Sequence, residues 1–108
     1  MIDFTVRLVY AHLLAKQYGE LEKITNGSRM SAREIEEAVS EYGCVLIAYP
    51  ESIQFDVIEV EGSKPKEWSV VAPIFTKEEG LSDLSLELSI TENGKPVYEI
   101  ELDNIRVR

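Results

Sequence analysis

Apolar residues recur at helical spacing early in the chain and at alternate positions later. Val6, Val9, Leu13 and Tyr18, with Tyr10 and Leu14 widening the stripe, predict an amphipathic helix over residues 4–18, with Arg7 and Lys16 off the apolar face. Gly19 breaks the pattern, residues 20–24 read as a short helical turn, and Thr25-Asn26-Gly27-Ser28 reads as a loop. The second helix has the clearest start. Ser31 is its N-cap and Glu34 stands at N3, a capping box, with Met30 and Ile35 at the hydrophobic-staple positions. Ile35, Val39 and Tyr42 form its inner stripe with Ala38 beside it, Glu36, Glu37 and Glu41 point outward, and Gly43 supplies the left-handed residue that ends it.

Beyond Gly43 the period becomes that of a strand. Residues 44–48 are β-prone and stop at Tyr49-Pro50. Residues 54–60 predict a strand with Phe55 and Val57 on one face, whose phase slips to Ile58 and Val60 as at a bulge or twist. After a turn at Gly62-Ser63-Lys64-Pro65, residues 67–75 alternate, with Trp68, Val70, Ala72 and Ile74 on one face. Pro73 marks a sheet edge or a bulge. The strongest strand covers residues 84–90, with Leu84, Leu86, Leu88 and Ile90 inward and Ser85, Glu87 and Ser89 toward water. A final strand turns Tyr98, Ile100 and Leu102 inward and Val97, Glu99 and Glu101 outward.

Register between these last two strands follows from matching apolar faces. A two-residue Asn93-Gly94 loop sets Leu88 against Glu99. A three-residue loop, Glu92-Asn93-Gly94, sets Leu88 against Tyr98, Leu86 against Ile100 and Leu84 against Leu102, so a type I turn with a G1 bulge at Gly94 is expected. Ile105 and Val107 change parity relative to Leu102, which calls for a kink at Asp103-Asn104. The expected fold is α+β: a single domain, residues 1–108, with two N-terminal helices packed on one face of a three- to five-stranded antiparallel meander sheet.

Charge narrows the function classes. The chain carries 20 acids against 11 Lys and Arg, a net −9. Residues 51–108 hold 13 of the acids and 6 bases, so their acidic surface repels nucleic acid and anionic membranes and attracts basic proteins. The longest apolar run, residues 44–48, is far short of the ~20 residues of a membrane span, and no signal-peptide pattern opens the chain. The single Cys44, read as a buried core thiol, fits the reducing cytoplasm.

Candidate chemistry is sparse. His12, the one histidine, needs Asp83 or Glu79 brought near to act as an acid or base. No spacing supports a metal, a cofactor, a nucleotide loop or a nucleophile elbow. The most distinctive polar segment is Thr76-Lys77-Glu78-Glu79-Gly80-Leu81-Ser82-Asp83. Thr76, Gly80, Ser82 and Asp83 are expected to shape a turn, leaving Glu78 and Glu79 as solvent-facing contact candidates. Asp56, Glu59 and Glu61 join them as candidate partner-binding residues. The aromatic residues are expected mostly in the core, with Tyr49 as an exposed anchor candidate.

The run Trp68-Ser69-Val70, then Phe75-Thr76-Lys77-Glu78-Glu79-Gly80-Leu81-Ser82-Asp83-Leu84-Ser85-Leu86, resembles the signature of a small bacterial α+β domain family of unknown function. Ser31 at a helix start and Tyr42-Gly43 at its end fit the same pattern. Pro73-Ile74-Phe75 departs from it, because members tend to be more polar there and to carry Trp. The resemblance implies no catalytic residues. In bulk character the chain is also similar to immunity proteins of contact-dependent growth inhibition systems, a likeness of type rather than motif.

These readings lead to a non-enzymatic cytoplasmic binding protein. The expected partner is a cognate toxin, basic and of nuclease type, neutralised through an acidic surface. Nucleic acid and membrane are not expected partners, and a homodimer through an exposed sheet edge is a further option. The alternative is a small pocket-containing domain, similar to nuclear-transport-factor-like folds, that binds a ligand or uses Asp83 or His12 as an acid or base.

Overall fold

The computed structural model describes residues 2–25, 29–94 and 98–107. Three helices, α1 (Ile2–Leu14), α2 (Tyr18–Ile24) and α3 (Ala32–Tyr42), precede four strands, β1 (Asp56–Glu59), β2 (Glu67–Thr76), β3 (Gly80–Thr91) and β4 (Glu99–Val107). The strands form one antiparallel sheet in the order β1-β2-β3-β4, a meander. The fold is α+β, as its sequence order implies.

One continuous core joins the helices to one face of the sheet. Val6, Val9, Tyr10 and Leu13 of α1, Leu21 of α2 and Ile35 of α3 are buried with Val70, Ala72 and Ile74 of β2 and with Leu84, Leu86, Leu88 and Ile90 of β3. The predicted strand alternation is therefore realised. Truncating a fully buried leucine such as Leu88 to Ala costs about 2–5 kcal/mol.

The first helix ends sooner than its periodicity implies. The Gln17 N–H donates to the His12 carbonyl at 2.9 Å and the Lys16 N–H to that of Leu13 at 3.1 Å. Lys16 stands at φ 60. This is a Schellman closure with lysine in the left-handed position that glycine commonly fills. Gly19, the expected break, lies inside α2, and Tyr18 opens that helix instead of closing α1.

The start of α3 forms as its sequence dictates. Ser31 Oγ accepts from the Glu34 N–H at 3.2 Å, and Glu34 Oε1 accepts from the Ser31 N–H at 3.0 Å. Glu22 Oε1 accepts from the Ala32 N–H at 2.7 Å, which ties α2 to the first turn of α3. Met30 and Ile35 are buried, and Gly43 takes φ 77 at the C-terminus.

The sheet corrects several expectations. Thr76 pairs with Gly80, so Lys77-Glu78-Glu79 is a three-residue hairpin turn and the second half of the distinctive polar segment belongs to β3. Pairing slips between Pro73 and Phe75, the irregularity expected at that proline. There Ser82 Oγ donates to the Ile74 carbonyl at 2.6 Å and accepts from the Leu84 N–H at 3.2 Å, taking up backbone groups released by the slip. Leu88 pairs with Leu102, not Tyr98, Leu86 with Ile105 and Leu84 with Val107. The three-residue turn is thus replaced by a longer connection from Thr91 to Glu99, although Gly94 is left-handed at φ 74. The kink is present: Glu87 faces Asn104 while Leu88 faces Leu102, which leaves Asp103 as the extra residue of a bulge.

β1 buries neither face, and its pairing with β2 runs from Asp56 to Glu59 without the register shift that the change of phase at Ile58 suggests. Residues 44–48 form no full strand. Leu46 alone bridges to Thr76, flanked by bonds from the Ile47 N–H to the Phe75 carbonyl, 2.9 Å, and from the Lys77 N–H to the Val45 carbonyl, 2.8 Å. This short segment continues the sheet along β2 where β1 stops. The expected loop residues Asn26, Gly27 and Ser28, and the outward Val97, lie outside the described residues.

Candidate partner-binding surface

Alternation along the strands fixes what faces away from the helices. Asp56, Glu67, Glu87, Glu99 and Glu101 lie on this uncovered face, because their ladder partners alternate with the buried positions. Arg106 Nε donates to Glu87 Oε2 at 2.6 Å, and Arg29 Nε lies 3.2 Å from Glu101 Oε2 and 3.8 Å from Asp103 Oδ1. Ser89 Oγ donates to Asp103 Oδ2 at 2.6 Å. At 3.8 Å the Arg29 contact is electrostatic only, so Asp103 Oδ1 is buried without a hydrogen bond among the described residues. Asp56, Glu67 and Glu99 have no ion-pair partner among the described residues, and the face as a whole is acidic.

An apolar row crosses the same face at its hairpin end. Leu81 pairs with Phe75, and Ile47 lies on the other side of Phe75, with Val45 next along its own segment. Leu81 is 64% exposed and Val45 58% exposed. Leu46 packs inward, so Val45 and Ile47 must point outward. The sequence held this signal in the alternation of residues 45–47, but reading the run as one apolar block hid it.

The five acidic candidates divide into two groups. Asp56, Glu59 and Glu61 are exposed on and just beyond β1. Glu78 and Glu79 sit on the hairpin turn and hold the end of α3. Glu78 Oε1 accepts from the Val45 N–H at 3.0 Å, and Glu79 Oε1 accepts from the Tyr42 hydroxyl at 2.6 Å. The Tyr42 hydroxyl in turn accepts from the Asp83 N–H at 3.2 Å, and Thr76 Oγ1 accepts from the Glu79 N–H at 3.1 Å. Both glutamates are exposed, yet their carboxylates are engaged within the chain. The hydrogen bond to Glu79, then burial, raise the Tyr42 hydroxyl above its ordinary range.

Cys44 is not the core thiol its apolar surroundings suggest. It is half-buried, 3.9 Å from Glu79 Oε1, and lines a cleft of about 390 Å³ with Leu13, Tyr18, Glu36 and Val39. Burial first, then the charges of Glu78 and Glu79, push its thiol up. Tyr49 is likewise no exposed anchor. Its ring stacks on Tyr10 at 3.6 Å between centroids, its hydroxyl donates to the Pro73 carbonyl at 2.7 Å, and burial pushes that hydroxyl up. His12 Nδ1 lies 2.6 Å from Gln17 Oε1, and neither Asp83 nor Glu79 is its partner. Among the described residues no group of three or more His, Cys, Asp or Glu could hold a metal ion, and no helix is long and apolar enough to cross a membrane.

A family model described as a domain of unknown function, DUF7668, matches residues 10–108. The chain belongs to this family. The DUF7668 match contains the apolar row, the acidic face and the hairpin turn, so the whole candidate surface lies inside the shared domain. No curated protein and no solved structure matches this DUF7668 chain.

Proposed function

We propose that this DUF7668 chain is a non-enzymatic binding protein that engages a basic protein partner, and that it serves in the cytoplasm as an immunity protein neutralising a nuclease toxin. The observation that carries this reading is the uncovered sheet face, where exposed Val45, Ile47 and Leu81 flank the half-buried Phe75 on a face whose other charged positions are mostly acids. Interfaces draw most of their affinity from a few apolar or aromatic anchors and much of their association rate from complementary charge. A nuclease toxin presents the opposite charge, because its cleft binds a polyanion. An acidic face with an apolar row at one end suits that cleft in both respects.

The test is affinity capture from the native bacterium at low and at high salt, followed by growth assays. Expected is one basic protein whose association slows as salt rises, whose expression alone arrests growth, and whose toxicity is lifted by co-expression of this chain. Recovery of the chain alone, or of a partner with no effect on growth, overturns the immunity reading.

A further inference from the structure

We propose that the outer edge of β1 is a strand-addition site that takes an extended segment of a partner, apolar at its centre and flanked by lysine or arginine. The proposal rests on the basic-partner reading above and names where and how such a partner docks.

The sheet treats its two edges differently. At β4, Asp103 forms a bulge and Arg29 reaches over to Glu101 and Asp103, both devices that blunt an edge. On the other side, the end of β2 is covered by residues 45–47. β1 has no such cover among the described residues. The Val60 N–H donates to the Glu67 carbonyl at 2.8 Å, and antiparallel pairing alternates. Ile58 and Asp56 therefore bond inward to β2, while Val57 and Glu59 turn their N–H and C=O groups outward, where no described residue meets them.

The side chains on this edge are unusual for solvent. Ile58 is 68% exposed and Val57 43% exposed, and Val60 follows them. Along this edge the charges carry one sign: residues 51–63 hold four acids and no lysine or arginine, with Lys64 and Lys66 following only in the turn to β2. Asp56, Glu59 and Glu61 bracket the aliphatic centre. A second copy would bring its own three acids against these, so like charges oppose self-pairing. A strand with basic ends reverses that sign and places its apolar centre against Val57 and Ile58. Backbone pairing would supply affinity and the flanking charges the selection, as in other cases of strand addition.

The experiment is a two-dimensional NMR titration of the full chain with a synthetic peptide, blocked at both ends, whose alternating valine and threonine centre is flanked by two lysines on each side. Expected are shift changes centred on residues 56–60, slowed hydrogen exchange at the Val57 and Glu59 amides, and affinity that falls about tenfold or more from low to high salt. Val57→Pro removes an outward N–H without touching a bond to β2, and should weaken the peptide about tenfold or more. Ile58→Lys, which leaves the backbone intact, should act in the same direction by charge. Shifts centred elsewhere, a folded Val57→Pro that binds the peptide unchanged, or no binding at millimolar peptide overturns the proposal. Protection of the β1 amides that rises with protein concentration alone assigns the edge to a second copy and also overturns it. The two readings fail separately. A captured toxin that binds Val57→Pro unchanged removes the edge and leaves the immunity reading. Peptide docking at β1 with no basic partner recovered does the reverse.

Discussion

The Tyr10 hydroxyl accepts a hydrogen bond from the Phe75 N–H at 3.2 Å and, in the same position, donates to the Ile47 carbonyl at 2.6 Å. The reverse bond, from the Ile47 N–H to the Phe75 carbonyl, is direct. A helix side chain thus replaces one rung of the β ladder and stitches α1 into the sheet. Tyr10→Phe keeps the ring stacked on Tyr49 but leaves a donor and an acceptor unpaired in the interior. We expect a loss of about 1–3 kcal/mol, read as a lower urea midpoint at unchanged slope. An unchanged midpoint would show that the two backbone groups close directly on each other.

The left-handed Lys16 predicts a stabilising substitution. An L-residue pays about 1–2 kcal/mol in that conformation, and glycine returns part of the gain through its freer unfolded chain. Lys16→Gly should raise stability by up to about 1 kcal/mol, whereas Lys16→Ala, left-handed as well, should not. Thermal midpoints of the two variants decide it.

The capping box makes α3 sensitive to acid. Hydrogen bonds from Ser31 hold the Glu34 carboxyl below its ordinary 4.5. A depressed carboxylate contributes stability that is fully present above the unfolded value and is lost as pH falls through the folded one. Glu34→Gln keeps an accepting oxygen but cannot ionise. The wild-type chain should be the more stable of the two at neutral pH, and the gap should close below pH 4.5, as followed by urea denaturation at stepped pH. A gap that is constant with pH would remove the ionic part of the cap.

Cys44 should be a slow nucleophile. Its thiol is raised above the ordinary 9.0, so less thiolate is present at any given pH. Alkylation by iodoacetamide at mildly alkaline pH should be slower than that of a free peptide cysteine, and Glu79→Gln should speed it. Equal rates for the variant and the parent would argue that burial and Glu78, not Glu79, govern the thiol.

The exposed row separates binding from stability. Leu81→Ser removes an apolar side chain that already faces solvent, so stability should move by no more than about 0.5 kcal/mol. Binding of the captured partner should weaken about tenfold or more, the loss typical of a central anchor. Unchanged binding would move the interface off this row.

Local chemistry was legible and long-range choice was not. Ser31, Glu34 and Gly43 mark the ends of α3 because caps depend on neighbours within a few residues. Alternation in β2 and β3 reveals which side of the sheet is buried, and the parity change after Leu102 reveals the bulge at Asp103. The register of β4 was missed because any even shift preserves parity: Leu88 meets an apolar residue whether its partner is Tyr98 or Leu102. Val57 and Ile58 look like core residues by type alone, and only the position of β1 at the edge leaves them exposed. Glu78 and Glu79 look solvated until α3 is placed beside the hairpin, when Tyr42 and the Val45 N–H become their partners. The surface row of Ile47, Phe75 and Leu81 joins three separate stretches of chain and has no local signature.

The turn at Lys77-Glu78-Glu79 also sets an order in time. It brings β2 and β3 together across three residues, whereas Tyr10 must find Phe75 across 65. Closing a short loop costs less chain entropy than closing a long one, so the central hairpin can pair before α1 has a surface to cover. Folding rate should therefore respond to the hairpin, through a substitution such as Gly80→Ala at its left-handed φ of 71. The lifetime of the folded chain should respond instead to the late-docking tyrosine, whose loss would quicken unfolding and leave the rate of folding nearly as it was.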